Sequence, residues 1–184
     1  VIMALGNELE TLMRVWQDPE DWFKERQKTA LTIGNFDGVH RGHQELLKKV
    51  VQLANHRDLF SLLITFHPHP ITVLSPEKKH TRLFDLKDQQ EQLAKAGLNG
   101  MLRQPFSRQF SEMSAPAFLE DYLLKYFQPE VIVVGHDFTF GAHRSGSFEL
   151  LKAFGDKHKI LIERVPPLEI SGLTASTSKI RESL

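Results

Sequence analysis

Ala30-Leu31-Thr32-Ile33-Gly34-Asn35-Phe36-Asp37-Gly38-Val39-His40-Arg41-Gly42-His43 is the stretch whose reading decides the fold. A short apolar run stops at a glycine, and further glycines follow at 38 and 42. Leu46, Leu47, Val50, Val51 and Ala54 then form one stripe of a helix over 43–55. Buried strand, glycine turn and amphipathic helix are the first parts of a βαβ unit. The glycines allow a ligand to approach the backbone closely. A helix starting near His43 turns free N–H groups and partial positive charge toward that turn. His40 and His43 add two imidazoles where a polyphosphate would sit. No Gly-Lys-Ser/Thr follows, so the loop is not a Walker A loop, and glycines at every fourth residue do not make a dinucleotide fingerprint.

Working outward, the same alternation recurs. Phe60 to Phe66 reads as a strand stopped by Pro68 and Pro70. A helix over 86–96 has Asp85 as its N-cap and Gly97 past its end. Leu98 to Leu102 is a weak strand. Ser114-Ala115-Pro116 opens a helix through Phe127. Val131 to Val134 is a strong strand, a helix over 147–154 ends at Gly155, and Lys159 to Val165 is the last strand. Residues 8–26 read as a helical lead-in with Leu9, Leu12, Val15, Trp16, Trp22 and Phe23 as apolar positions, broken at Asp18-Pro19; Ser178 to Leu184 reads as a helix start. The chain is therefore expected to be α/β, a mostly parallel sheet sandwiched by helices. Ligands then bind at the carboxyl ends of the strands. Gly34 to His43, His67 to Pro70 and Gly135 to Gly141 all fall just after strands.

The 184 residues suit one compact domain, and equal numbers of basic and acidic residues (23 each) argue against a general nucleic-acid binder. The absence of cysteine excludes disulfides, thiolate zinc sites and a cysteine nucleophile. No apolar run approaches the ~20 residues that span a bilayer, and no secretory signal is evident. No nucleic-acid or membrane partner is expected, and a cytoplasmic location is. Three readings of the His40–His43 stretch stand side by side. It is a glycine-rich turn with two surface histidines, a phosphate site, or part of a metal site shared with His67, His69, His136 and His143. The lack of a His-Glu-x-x-His helix ranks metal below phosphate.

His40-Arg41-Gly42-His43 resembles the (His/Thr)-x-Gly-His signature of the nucleotidylyltransferase superfamily. The stretch Ile33 to His43 is similar to one branch of it, the bacterial FAD synthetases, which are usually bifunctional riboflavin kinase/FMN adenylyltransferases. Thr65 to Pro70 resembles that branch's Phe-x-Pro-His-Pro segment, Val134 to Gly141 its Val-Gly-x-Asp-Phe-x-Phe-Gly block, and Ser176 to Arg181 its Ser-Ser-Thr-x-Ile-Arg block. Four motifs in order are far more specific than any one. His143-Arg144-Ser145-Gly146-Ser147 departs from the family's frequent Asn-Arg-x-Gly-Asp, which puts polar contacts near Ser147 in question.

The resemblance implies a Rossmann-like nucleotidylyltransferase fold over residues 1–184, and transfer of AMP from ATP to FMN to give FAD and pyrophosphate. ATP is then held by Gly34, Phe36, Asp37, Gly38, His40 and His43, with Asp137 at the nucleotide and Ser176, Thr177 and Arg181 clamping phosphates. His40, His43 and Arg181 carry the catalysis. FMN is met by Asn35, Phe66, Pro68 and His69, by Phe106 in a loop shared with Phe110, and by Phe138 and Arg144, while Phe140 reads as core. Mg²⁺ is bound mainly through ATP phosphates, and no protein metal site is implied. The family's riboflavin kinase barrel carries a Pro-Thr-Ala-Asn segment that does not occur here, so no kinase activity is expected from these residues, and a longer protein is expected to supply that domain. A transferase with a non-flavin acceptor and a non-catalytic flavin or nucleotide binding module are the alternatives. If Arg181 clamps phosphate through its planar fork, Arg181→Lys retains the charge but raises the Michaelis constant for ATP, with FMN binding by flavin fluorescence little changed. Wild-type ATP kinetics in that variant would leave Arg181 a solvated helix residue.

Overall fold

A computed structural model describes residues 13–36, 41–78, 86–167, 169–170 and 173–174. The elements follow in the order β1 Arg14–Trp16, α1 Pro19–Phe23, β2 Thr29–Ile33, α2 Arg41–Arg57, β3 Phe60–His67, α3 Pro70–Leu74, α4 Leu86–Lys95 and β4 Gly100–Pro105. Then come α5 Arg108–Ser111, α6 Ala115–Ala117, α7 Lys125–Phe127, β5 Pro129–Gly135, α8 Phe148–His158 and β6 Leu161–Val165. A small antiparallel pair, β7 Glu169–Ile170 and β8 Leu173–Thr174, has no counterpart in the sequence reading.

The six main strands form one all-parallel sheet in the order β1-β4-β3-β2-β5-β6. β2 is buried at every residue, as a strand covered on both faces must be. Alternate residues serve opposite faces. Leu31, Ile33, Leu62, Ile64, Ile132 and Val134 join the core beneath α6, α7 and α8. Ala30, Leu63, Val131 and Val133 join the core beneath α2 and α4. The chain leaves β2 through α2 toward β3, and leaves β5 through α8 toward β6, on the opposite face. The two directions part between β2 and β5, which opens a crevice at their carboxyl ends.

Several boundaries differ from the sequence reading for physical reasons. Residues 14–16 are not helical: they form an edge strand paired with Gly100–Leu102, and the helix is confined to α1. Trp16 packs edge-on against Trp22 (centroids 4.8 Å apart), and Gly100 makes room, since a Cβ there would lie 2.5 Å from the Trp16 ring. Asp18 caps α1 by accepting from the Glu20 N–H at 2.7 Å, with Pro19 opening the helix. Leu9 and Leu12 lie outside the described residues, as do Asp85 and the expected helix start at Ser178. The helix opened by Ser114 runs to Phe127 as expected, but residues Phe118–Leu124 are π-helical.

Gly155 does not end its helix; α8 continues to His158 and stops where Lys159 turns left-handed (φ 59°). Gly155 is there for space. A Cβ on it would lie 2.4 Å from Ile162 Cγ1 and 2.8 Å from the Ile160 carbonyl oxygen. Gly155→Ala gains about 1 kcal/mol of helix propensity. It also forces an overpacked contact, part of it against backbone, at about 1–3 kcal/mol. The clash wins, so the urea midpoint is expected to fall with the m-value unchanged.

Candidate active site

The crevice at the switch point is a cleft of about 950 Å³. One wall begins where β2 ends. Gly34 continues the ladder by donating to the Ile64 carbonyl at 3.1 Å, Asn35 is exposed, and Phe36 turns inward. Phe36 is only 1% exposed and packs under α2, yet it lines the cleft. The His43 ring stacks on it, with centroids 4.3 Å apart and planes 29° from parallel. Gly42 and His43 sit in the first turn of α2, a 17-residue helix whose N-terminal amides and partial positive charge face the cleft. Asp37, Gly38 and His40 lie outside the described residues, as do Ser176, Thr177 and Arg181.

The facing wall is aromatic. Phe66 at the end of β3, Phe106 after β4 and Phe110 in α5 form a triangle with centroids 5.7, 6.0 and 5.9 Å apart. Phe106 and Phe110 are half-buried, and Phe110 stands in a helical turn that Ser107 caps at 3.0 Å, in place of the expected loop. His69 lines the cleft and accepts at Nδ1 from the Ile71 N–H (3.2 Å), so a neutral ring carries its proton on Nε2. That contact opens α3, which the sequence reading did not foresee; α3 brings Ile71 and Leu74 to the cleft. Their 71–74 spacing is a helical signal too short to register beside two prolines. Pro68 is exposed and stands off the lining.

The third wall follows β5. Phe140 is core, as expected, and stacks at 5.5 Å on Phe138, which faces the cleft. Phe140 and Gly146 exchange two backbone hydrogen bonds (3.3 and 2.8 Å), closing the turn that presents Arg144. Gly141 has φ +72°, and a Cβ on it would meet the Ala115 backbone at 2.6 Å, so this position needs glycine twice over. His143 and Arg144 are both left-handed, and Arg144 Nε donates to Thr139 Oγ1 at 2.9 Å. Asp137 lines the cleft and is exposed there. Ser147, where the family often has Asp, caps α8 by accepting from the Leu150 N–H (3.3 Å), a task either residue performs. Of the expected site residues within the described chain, Gly34, Asn35, Phe36 and His43 thus share one cleft with Phe66, His69, Phe106, Asp137, Phe138 and Arg144. Arg108, His136 and His143 also line it. No group of three or more histidines and carboxylates that could hold a metal occurs among the described residues.

Behind Phe110 lies a buried polar pair. Tyr122, in the π-helical stretch, donates its hydroxyl to Gln104 Oε1 at 2.6 Å and packs edge-on against Phe110 at 5.3 Å. Gln104 Nε2 donates to the Pro105 carbonyl at 3.0 Å. Burial, then the neighbouring Tyr126 and Asp18, push the Tyr122 phenol well above its ordinary range.

A doubly wound parallel sheet with a helix N-terminus and an aromatic wall across its switch-point crevice is a Rossmann-like α/β fold of the nucleotidylyltransferase kind. The FAD synthetase family model matches residues 23–179, and the chain belongs to that family. It is 35% identical over 155 residues to the bifunctional riboflavin kinase/FMN adenylyltransferase of Escherichia coli K12, covering 84% of this chain and 50% of that protein. The protein of that name from Haemophilus influenzae is 33% identical over 158 residues (86% and 51%), and that from Listeria monocytogenes 38% over 128 residues (69% and 40%). The chain thus spans about half the length, or less, of the curated relatives it matches. A solved structure described as a macrolide-efflux protein from Streptococcus pneumoniae superposes with a TM-score of 0.80 at 26% identity, covering 93% of this chain and 56% of the other. No helix among the described residues is long and apolar enough to cross a membrane.

Tyr122→Phe strips the buried Gln104 oxygen of its donor, which costs about 1–3 kcal/mol at neutral pH. The sign of the pH effect follows from the raised phenol. Its contribution is complete below the unfolded value near 10 and is lost as pH rises through the higher folded value. Urea melts from pH 7 to 11 are expected to show the variant less stable at pH 7 and losing less above pH 10.

Proposed function

We propose that this chain transfers AMP from ATP to FMN, releasing pyrophosphate and FAD. The observation that carries the reading is the single cleft in which the His43 helix terminus faces the Phe66–Phe106–Phe110 wall. One side suits a polyphosphate, the other a flat aromatic ring. FMN and ATP are the substrates that join those two chemistries, and the names of the relatives support them.

A phosphate oxygen of FMN attacks the α-phosphorus of ATP. The new P–O bond forms as the bond to the pyrophosphate oxygen breaks, and that oxygen leaves with the electron pair. The attacking phosphate is already ionised at pH 7, so the step needs no general base. The protein brings two anions together and stabilises charge on the departing group. His43 and the α2 amides are assigned the triphosphate, and the resemblance assigns His40, Asp37 and Gly38 to ATP as well. Arg144, held by Thr139, is assigned the FMN phosphate; Asn35, Phe66, His69, Phe106 and Phe138 are assigned the flavin. Asp137 is assigned the nucleotide, and Ser176, Thr177 and Arg181 the β- and γ-phosphates. Mg²⁺ is assigned to the ATP phosphate oxygens, as that ion usually binds through substrate phosphates. When bound, that ion neutralises phosphate charge.

The relatives' names pair this activity with riboflavin kinase. We assign the adenylyltransferase half to these residues and the kinase to the rest of a longer protein, with the cytoplasm as its compartment. Incubation with ATP, Mg²⁺ and FMN is expected to yield FAD on chromatography, while riboflavin in place of FMN yields no FMN. His43→Ala is expected to lower turnover roughly 10²-fold or more, because it removes a preorganised donor where charge develops. FMN affinity by flavin fluorescence should change little. Near-wild-type turnover in that variant would remove His43 from the triphosphate.

A further inference from the structure

We propose that Phe36 is a positioning residue for His43, and that Gln89 holds it in place. The inference rests on the adenylyltransferase reading, in which His43 acts on the triphosphate. The Phe36 ring is almost wholly enclosed, with the His43 ring stacked on it and both residues lining the cleft. An imidazole in the first turn of a helix has several rotamers. A flat surface 4.3 Å away selects those whose ring plane runs along it. The two ring nitrogens then lie in a plane set by Phe36. The surface itself is fixed from two sides. Leu46, Leu47 and Val50 of α2 belong to the buried cluster that encloses the ring, and the Gln89 side-chain amide of α4 donates to the Phe36 carbonyl. Gly34 completes the fit, because a Cβ there would approach the ring to 3.2 Å. α4 thereby reaches the active-site loop without lining the cleft.

A residue that only fills the core and one that aims His43 predict different results for Phe36→Leu, which keeps an apolar side chain but loses the flat face. In the positioning role, turnover falls roughly 10- to 100-fold, as small misplacements of reacting groups do. The ATP Michaelis constant and FMN affinity stay near wild type. The His43 ring-proton resonances, shielded by the phenyl face in the wild type, move downfield. Wild-type turnover in folded Phe36→Leu protein, or unmoved His43 resonances, would overturn the proposal. Gln89 is half-exposed on α4, so Gln89→Ala tests the same link without touching the core. A smaller fall in turnover with a partial shift of the same resonances is expected, and if Phe36→Leu does not fold, no change in either measure for Gln89→Ala overturns the proposal. If the wild-type chain makes no FAD, the adenylyltransferase reading fails, and the His43 resonances alone then decide whether Phe36 orients that ring.

Discussion

β2 and β5 lie side by side, paired in parallel from Ala30↔Val131 to Thr32↔Val133, yet the chain leaves them in opposite directions. No helix can cover the gap between two connections that diverge, so the sheet is left open at that one end. Among the described residues, the candidate site residues that line the cleft are arranged around that opening. β2 is buried on both faces, and only its carboxyl end can offer polar groups. The α2 N-terminus, Asn35 and the Gly135–Arg144 segment collect there because they are the first residues free of the sheet.

The flanks of the opening differ in kind. Toward β5 the wall is a short loop held by backbone. Phe140 bonds to Gly146, Ala142 donates to the Met113 carbonyl at 2.7 Å, and Gly141 presses against Ala115. Toward β3 and β4 the wall is built of rings, from Phe66 through Phe110 to Phe118, Tyr122 and Phe127. The π-helical stretch carries the inner part of that stack, and a wider turn spaces Phe118 and Tyr122 to lie nearly face to face (5.4 Å, 28°). The one polar pair inside, Tyr122 with Gln104, is satisfied, which a buried pair must be to persist.

The surrounding ion pairs have little part in this. Lys24–Asp21 and Lys152–Asp156 are exposed local pairs whose attraction water and salt largely screen. Glu120 is more engaged, accepting from Lys157 at 2.7 Å and meeting His158 Nε2 at 3.0 Å, and these partners hold its carboxyl below the usual range. It ties the end of α8 to the π-helical stretch.

Residue spacing by itself determined the βαβ alternation and the strand ends, while the resemblance to the family rested on four motifs in order. Periods of two and 3.6 residues and glycines at fixed offsets are local signals. Ser114 and Gly97 were legible as punctuation for the same reason. Tertiary structure decided what depends on partners distant in sequence. Trp16 looked helical until Gly100 and Trp22 gave it a slot at the sheet edge. Gly155 looked like a stop, but Ile160 and Ile162 require it as a gap. Phe36, apart from Gln89 by 53 positions, gained its place beneath His43 only when α2 and α4 packed on the same face. Pattern fixes which side of an element is apolar, whereas the identity of what covers it is set by close packing among elements whose contacts no local period encodes.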